Sequence, residues 1–288
     1  MGDDVFSEDY LRVDDALTIY YRDYPGPPRP SVPALCLHGF WRNCRDFEDL
    51  APWLSDQRRV ITPDLRGRGR SGYAASATQY AFDKLVADMW TLLDKVEIRR
   101  VVVIGTTLGG LMALEMARQH PERIAAIVMN DVGPERSEEY SRKIAGNAGS
   151  GKYSFDDAVE RVRAQNIGVY PEFGRADWIR LMFRAYRRTE DGMYTRDYDA
   201  RTDVATAAFR KERPTLWQEL TAIPQIPVRV IRGVHSEYLP SSIAERMLAE
   251  HPRLMVTSIP ERGHPPLLSE PQAMAVLEDV FSAVDDRA

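Results

Sequence analysis

Apolar positions along the chain fall into two alternating patterns. Short runs rich in β-branched residues at 17–21, 32–37, 59–62, 100–104, 124–129, 228–231 and 255–259 predict strands. Several, such as Val101-Val102-Val103-Ile104, are apolar at every position, as a parallel strand covered on both faces requires. Between them, residues 46–55, 81–96, 108–120, 241–251 and 271–284 space their apolar residues as helices do. The repeated β-then-α order predicts an open, mostly parallel α/β sheet flanked by helices. The adjacent N-terminal runs around Leu17 predict an antiparallel edge.

The alternation stops after Pro134 and resumes near Ile226. Strand signals are missing there, and residues 154–165 and 176–188 read as helices. An insertion after a strand end lies over the sheet's C-terminal edge, where open α/β folds bind ligands. The expected division is therefore a core of residues 1–133 and 223–288 with a helical cap at 134–222. The region from Pro134 to Ile226 carries 16 basic and 15 acidic residues, a balance that argues against an anion-binding surface.

Composition narrows the class. A chain of 288 residues suits one large core with an inserted subdomain. Lys and Arg number 38 against 43 Asp and Glu, a net charge of −5, which argues against nucleic acid as partner. The two cysteines, Cys36 and Cys44, form neither a disulfide framework nor a metal-ligand pattern, and no cofactor is expected. The polar start Met-Gly-Asp-Asp lacks the form of a secretory signal, and no apolar stretch is long enough to span a membrane. The expectation is a cytoplasmic protein, monomer or homodimer, acting on a small molecule without a membrane partner.

Chemistry concentrates at strand ends. Ile104-Gly105-Thr106-Thr107-Leu108-Gly109-Gly110 follows a strand and opens a helix. Glycines permit a turn tight enough to lift Thr107 above the sheet, at a helix N-terminus whose N–H groups favour developing negative charge. His38-Gly39-Phe40-Trp41 follows the strand at 32–37, so that the N–H of Phe40 can join that of Leu108 in an oxyanion hole, with His38 in a structural role. Gly263-His264-Pro265 follows the last strand and offers a general base. That base needs a carboxylate to orient it. Glu237 lies 27 residues before His264 and Asp131 lies 24 residues after Thr107, both past strand ends. Spacing does not decide between them, and Glu237 is preferred.

With Asp64-Leu65-Arg66-Gly67-Arg68-Gly69-Arg70-Ser71 added, the chain resembles an α/β-hydrolase of the capped esterase, lactonase and epoxide-hydrolase type over nearly its whole length. The resemblance implies an eight-stranded sheet, a helical cap after the sixth strand, and the order nucleophile, acid, histidine. Most members place the acid after the seventh strand, matching Glu237. Some place it after the sixth, matching Asp131. The implied activity is cleavage of an ester or lactone of a small to medium apolar substrate. A C–C bond hydrolase and a silent ligand-binding homologue are the alternatives.

The departure is Thr107, since this position usually has positive φ, which a β-branched residue tolerates poorly. A threonine enzyme, a weakened or engineered one, and a ligand binder without turnover stay open. In the insertion, Trp178, Ile179, Met182 and Phe183 form an apolar face at helical spacing. Packing against the core accounts for most such side chains. Trp178, Met182 and Phe183, with Trp41 and Trp217, are also the candidates to line a pocket for a neutral substrate.

Overall fold

A computed structural model describes residues 5–14, 17–28, 31–137 and 151–286. The first four residues and positions 138–150 of the insertion, both covered by expectations above, lie outside the described set. The strands are β1 (Ser7–Arg12), β2 (Thr18–Tyr24), β3 (Ala34–Leu37), β4 (Val60–Pro63), β5 (Val101–Thr106), β6 (Ile124–Asn130), β7 (Tyr186–Arg188), β8 (Tyr194–Arg196), β9 (Val228–Gly233) and β10 (Leu254–Ile259). Eight of them form one sheet in the order β1-β2-β4-β3-β5-β6-β9-β10, while β7 and β8 pair separately. From β4 to β10 the pairing is parallel, and β1 and β2 add an antiparallel edge.

Helices α1 (Leu50–Ser55), α2 (Phe82–Lys95), α3 (Leu108–Gln119), α4 (Phe155–Asn166), α5 (Arg175–Ala185), α6 (Arg201–Glu212), α7 (Trp217–Thr221), α8 (Ser241–Glu250) and α9 (Pro271–Asp285) complete the chain. Side-chain alternation divides each central strand between two cores. Leu35 and Leu37 of β3 and Val101 and Val103 of β5 pack in one core with α2, α3 and α8. Ala34, Cys36, Val102 and Ile104 pack in the other, with α1 and α9. Both faces are dry, which is why these strands read as continuous apolar runs.

The chain passes from β3 out to β4 and then back across β3 to β5. The β3/β5 boundary is thus the point where strand order reverses, and a crevice opens at its C-terminal end. Described residues of the segment between β6 and β9, Leu181, Arg184 and Arg196 among them, line that crevice. The segment holds α4 and α5 as expected, with α4 capped by the Ser154 hydroxyl on the Asp157 N–H. It also holds a hairpin that the apolar pattern missed. The helix predicted over 176–188 ends at Ala185, and Tyr186–Arg188 turn into β7, paired antiparallel with Tyr194–Arg196. Three-residue strands with charged positions carry no period long enough to detect. Among the described residues no helix is long and apolar enough to cross a membrane.

Candidate active site

Thr107 stands between β5 and α3 with φ 46° and ψ −105°, the strained turn the sequence implied. The turn closes so tightly that a Cβ on Gly105 would lie 2.2 Å from the carbonyl carbon of Gly109. Thr107 is almost fully buried, and its carbonyl accepts from the N–H groups of Gly110 and Leu111 to start α3. Its hydroxyl lies against the loop after β3, where a Cβ on Gly39 would approach Oγ1 to 2.5 Å.

The loop after β3 is held from below. His38 is fully buried; its Nδ1 donates to the Gly39 carbonyl at 2.8 Å and its Nε2 accepts from the Leu65 N–H at 3.0 Å. Burial, with the Arg68 and Arg42 cations, depresses its pKa to about 3, so the ring stays neutral and this tautomer persists. The loop after β4 completes the support. Buried Arg68 donates to the Phe40 carbonyl at 2.6 Å and the Arg66 carbonyl at 2.8 Å. Asp64 accepts from the N–H groups of Cys44 at 2.7 Å and Arg70 at 2.8 Å. The Asp64–Ser71 motif therefore braces Phe40, which lines the crevice. Leu108 opens α3, where first-turn N–H groups have no acceptor within the helix.

His264, in the loop after β10, places Nδ1 2.8 Å from Oδ2 of Asp131. Asp131 is fully buried at the end of β6, turned by a φ of 53°. Its other oxygen accepts from the Gly233 N–H at 3.1 Å. Geometry thus favours Asp131 over the preferred Glu237, which lies on the exposed rim of the same cavity. The positive φ bends the chain sharply as β6 ends, and β9 beside it supplies the second hydrogen bond.

Three neighbours escaped the sequence reading. Tyr238 stacks on the His264 ring with centroids 4.2 Å apart and planes 13° apart. Asn130 donates to the Pro266 carbonyl at 2.9 Å and the Thr106 hydroxyl at 3.1 Å, joining the histidine loop to the end of β5. Tyr170, from the insertion, donates to the Pro265 carbonyl at 2.7 Å. Tyr238 and Asn130 are sequence neighbours of the two candidate acids, the one local hint of their place.

A cavity of about 500 Å³ lies between this edge and the insertion and includes Thr107, His264, Phe40 and Trp41 in its walls. The other candidate lining residues sit elsewhere. Trp178 and Met182 are buried in the insertion's own core with Val159, Val162 and Tyr170. Phe183 is exposed. Trp217 belongs to the main core, donates to Glu135 at 2.8 Å and lies under Arg246. An apolar helix face between two layers is drawn into packing, and the cavity receives more polar side chains, including Arg42, Arg184, Arg196 and Arg210. Among the described residues no group of three or more His, Cys, Asp or Glu could hold a metal ion.

The chain belongs to the alpha/beta hydrolase fold family, whose model matches residues 33–271. It is similar to an alpha/beta hydrolase from Novosphingobium aromaticivorans of known structure, with a TM-score of 0.88 and 33% identity, covering 98% of this chain and 99% of that one. A 3-hydroxybutyrate-oligomer hydrolase from Cupriavidus necator is 28% identical over 278 residues, 91% of this chain and 92% of that protein. A pimeloyl-[acyl-carrier protein] methyl ester esterase from Aromatoleum aromaticum is 27% identical over 263 residues, 88% of this chain and 98% of that protein.

Proposed function

We propose that this hydrolase cleaves a carboxylic ester by acyl transfer through Thr107, His264 and Asp131. The observation that carries the reading is the 2.8 Å hydrogen bond between His264 and buried Asp131, beside a strained residue at a helix N-terminus. Thr107 Oγ attacks the ester carbonyl as its proton passes to Nε2 of His264. The imidazolium is oriented and stabilised by Asp131, which stays ionised. The N–H groups of Phe40 and Leu108 hold the oxyanion. Collapse of the tetrahedral intermediate expels the alcohol, which takes the proton from His264. Water then attacks the acyl-enzyme, passing a proton to His264, which returns it to Thr107 Oγ as the acid leaves.

Two relatives act on compounds that bear on this choice: a 3-hydroxybutyrate oligomer and a methyl ester. Oligomers of a hydroxy acid are joined by ester bonds, so both favour ester chemistry over C–C cleavage. In this reading residues 134–222 are a cap that closes the cavity over a core of 1–133 and 223–288. One observation favours a silent ligand binder instead, namely that the Thr107 hydroxyl lies against Gly39. A screen with short-chain p-nitrophenyl esters and lactones separates the two. Hydrolysis by the wild type that disappears in Thr107→Ala is the expected result. Equal rates in both proteins would reject Thr107 as nucleophile, and no turnover in either would leave the binder.

A further inference from the structure

The cavity walls hold four arginines and two carboxylates, Asp46 and Glu237. Charge in such a place needs a partner, because a cation facing a confined space loses hydration without compensation. Arg42 has one: its guanidinium grips Asp46 through contacts of 2.5 to 3.0 Å. Arg184 has Asp49 at 2.8 Å and Glu48 at 3.7 Å. Arg196 differs. It rises from β8, half-buried, and its Nη2 donates to the neutral amide oxygen of Gln165 at 2.7 Å. Its guanidinium also lies 5.2 Å from the centre of the Tyr186 ring. Among the described residues no carboxylate pairs with it. A guanidinium carries five N–H donors in a planar fork that matches a carboxylate, and Gln165 occupies only part of that capacity. Gln165 and Tyr198 line the cavity on either side in sequence of this hairpin and its helix, adding neutral polar groups to the same wall.

We propose that Arg196, held in place by Gln165, is the anion subsite of this cavity, and that the substrate is an ester that also carries a free carboxylate. This rests on the ester-hydrolase reading and adds the substrate's charge to it. It also reverses two sequence expectations, a neutral apolar substrate and an insertion unsuited to anions. A near balance of 16 basic and 15 acidic residues fixes the insertion's net charge and not which side chains point inward. Several acids of the insertion pair with arginines on its outside, as Asp156 does with Arg175 and Asp177 with Arg180.

The test compares mono-(4-nitrophenyl) glutarate, which ends in a carboxylate, with neutral 4-nitrophenyl pentanoate of the same chain length. The wild type is expected to prefer the glutarate ester in kcat/KM. Arg196→Gln is expected to lower that preference about ten- to hundredfold, mainly through KM, as loss of one charge-assisted hydrogen bond predicts. Arg196→Lys, which keeps the charge and loses the fork, is expected to fall between. An unaltered ratio in Arg196→Gln, or a wild type that favours the pentanoate ester, overturns the subsite. Melting curves of both variants guard against misfolding, and a loss of both esters in step in a folded Arg196→Gln also counts against it. If the wild type hydrolyses neither ester, the ester-hydrolase reading fails by itself. Calorimetry with glutarate then decides the subsite separately: binding lost in Arg196→Gln supports it, and no binding to the wild type rejects it.

Discussion

At position 107 a Cβ-branched side chain occupies a backbone with φ 46°, a combination that costs about 1–3 kcal/mol and sits toward the upper end for threonine. The methyl also restricts the hydroxyl, which faces Gly39. Thr107→Ser relieves both, so kcat on an activated ester is expected to rise about ten- to a thousandfold, each factor of ten being about 1.4 kcal/mol of barrier. Stopped assays on one ester for the wild type and Ser variant check this, and a slower Ser variant would mean the site is built around threonine. The two carboxylates separate in the same assay. Asp131→Asn is expected to lower kcat about 10⁴-fold, as loss of the orienting acid does in other triads. Glu237→Gln, at an exposed rim position, is expected to be far milder. A reversed ranking would return the role to Glu237.

In the insertion, element packing governs. Trp178 of α5 packs tilted against Phe173 with centroids 4.9 Å apart, inside a cluster that includes Tyr170, whose hydroxyl holds the Pro265 carbonyl. Truncation of a buried aromatic costs about 3–5 kcal/mol. Trp178→Ala is therefore expected to lower the melting temperature and leave the order of preference among p-nitrophenyl esters of different length unaltered. A changed preference with an unchanged melting temperature would put Trp178 back on the cavity wall. Further ties join this element to the histidine loop, including the ion pair of Glu172 with Arg262 and the Gly263 N–H to the Val169 carbonyl at 3.5 Å. Residues of the insertion thus form part of the cavity wall.

Across the whole molecule, Glu115 links the two layers. It is buried on α3 and accepts from Arg118 at 2.6 Å and from Arg213, just past α6, at 2.8 Å. Burial alone raises its pKa, but the hydrogen bonds from Arg118, Arg213 and Gln119 outweigh burial and hold it at about 2 against an ordinary 4.5. The folded value lies below the unfolded one, so the unfolded chain binds the extra proton. The stabilisation is full above pH 4.5 and is lost as pH falls toward 2. Its size is on the order of 3 kcal/mol. Urea midpoints across this window are expected to fall with pH in the wild type. Glu115→Gln should be less stable at neutral pH and have a flatter profile. Parallel profiles would exclude Glu115 as the titrating group.

Much of this protein is written in short stretches of its chain. The strand, turn and helix around Thr107 were legible because glycines, apolar runs and helix spacing are local, and His264 and Phe40 followed from their places just past strand ends. The β-then-α order determined the sheet, since parallel strands buried on two faces leave an unmistakable apolar run. Which of Asp131 and Glu237 reaches His264 was not legible locally; in the fold Asp131 is hydrogen-bonded to its Nδ1. Both stand past the ends of strands facing the same crevice, and the placement of Asp131 depends on a positive φ and a Gly233 N–H brought from another strand. The same holds for the cavity wall. Periodicity marks Trp178 and Met182 as apolar but not which layer they meet, and packing drew them inside the insertion. Two of the cavity's arginines are likewise held by partners distant in sequence, Arg184 by Asp49 and Arg196 by Gln165. Such meetings are set by how layers stack, which no local pattern records.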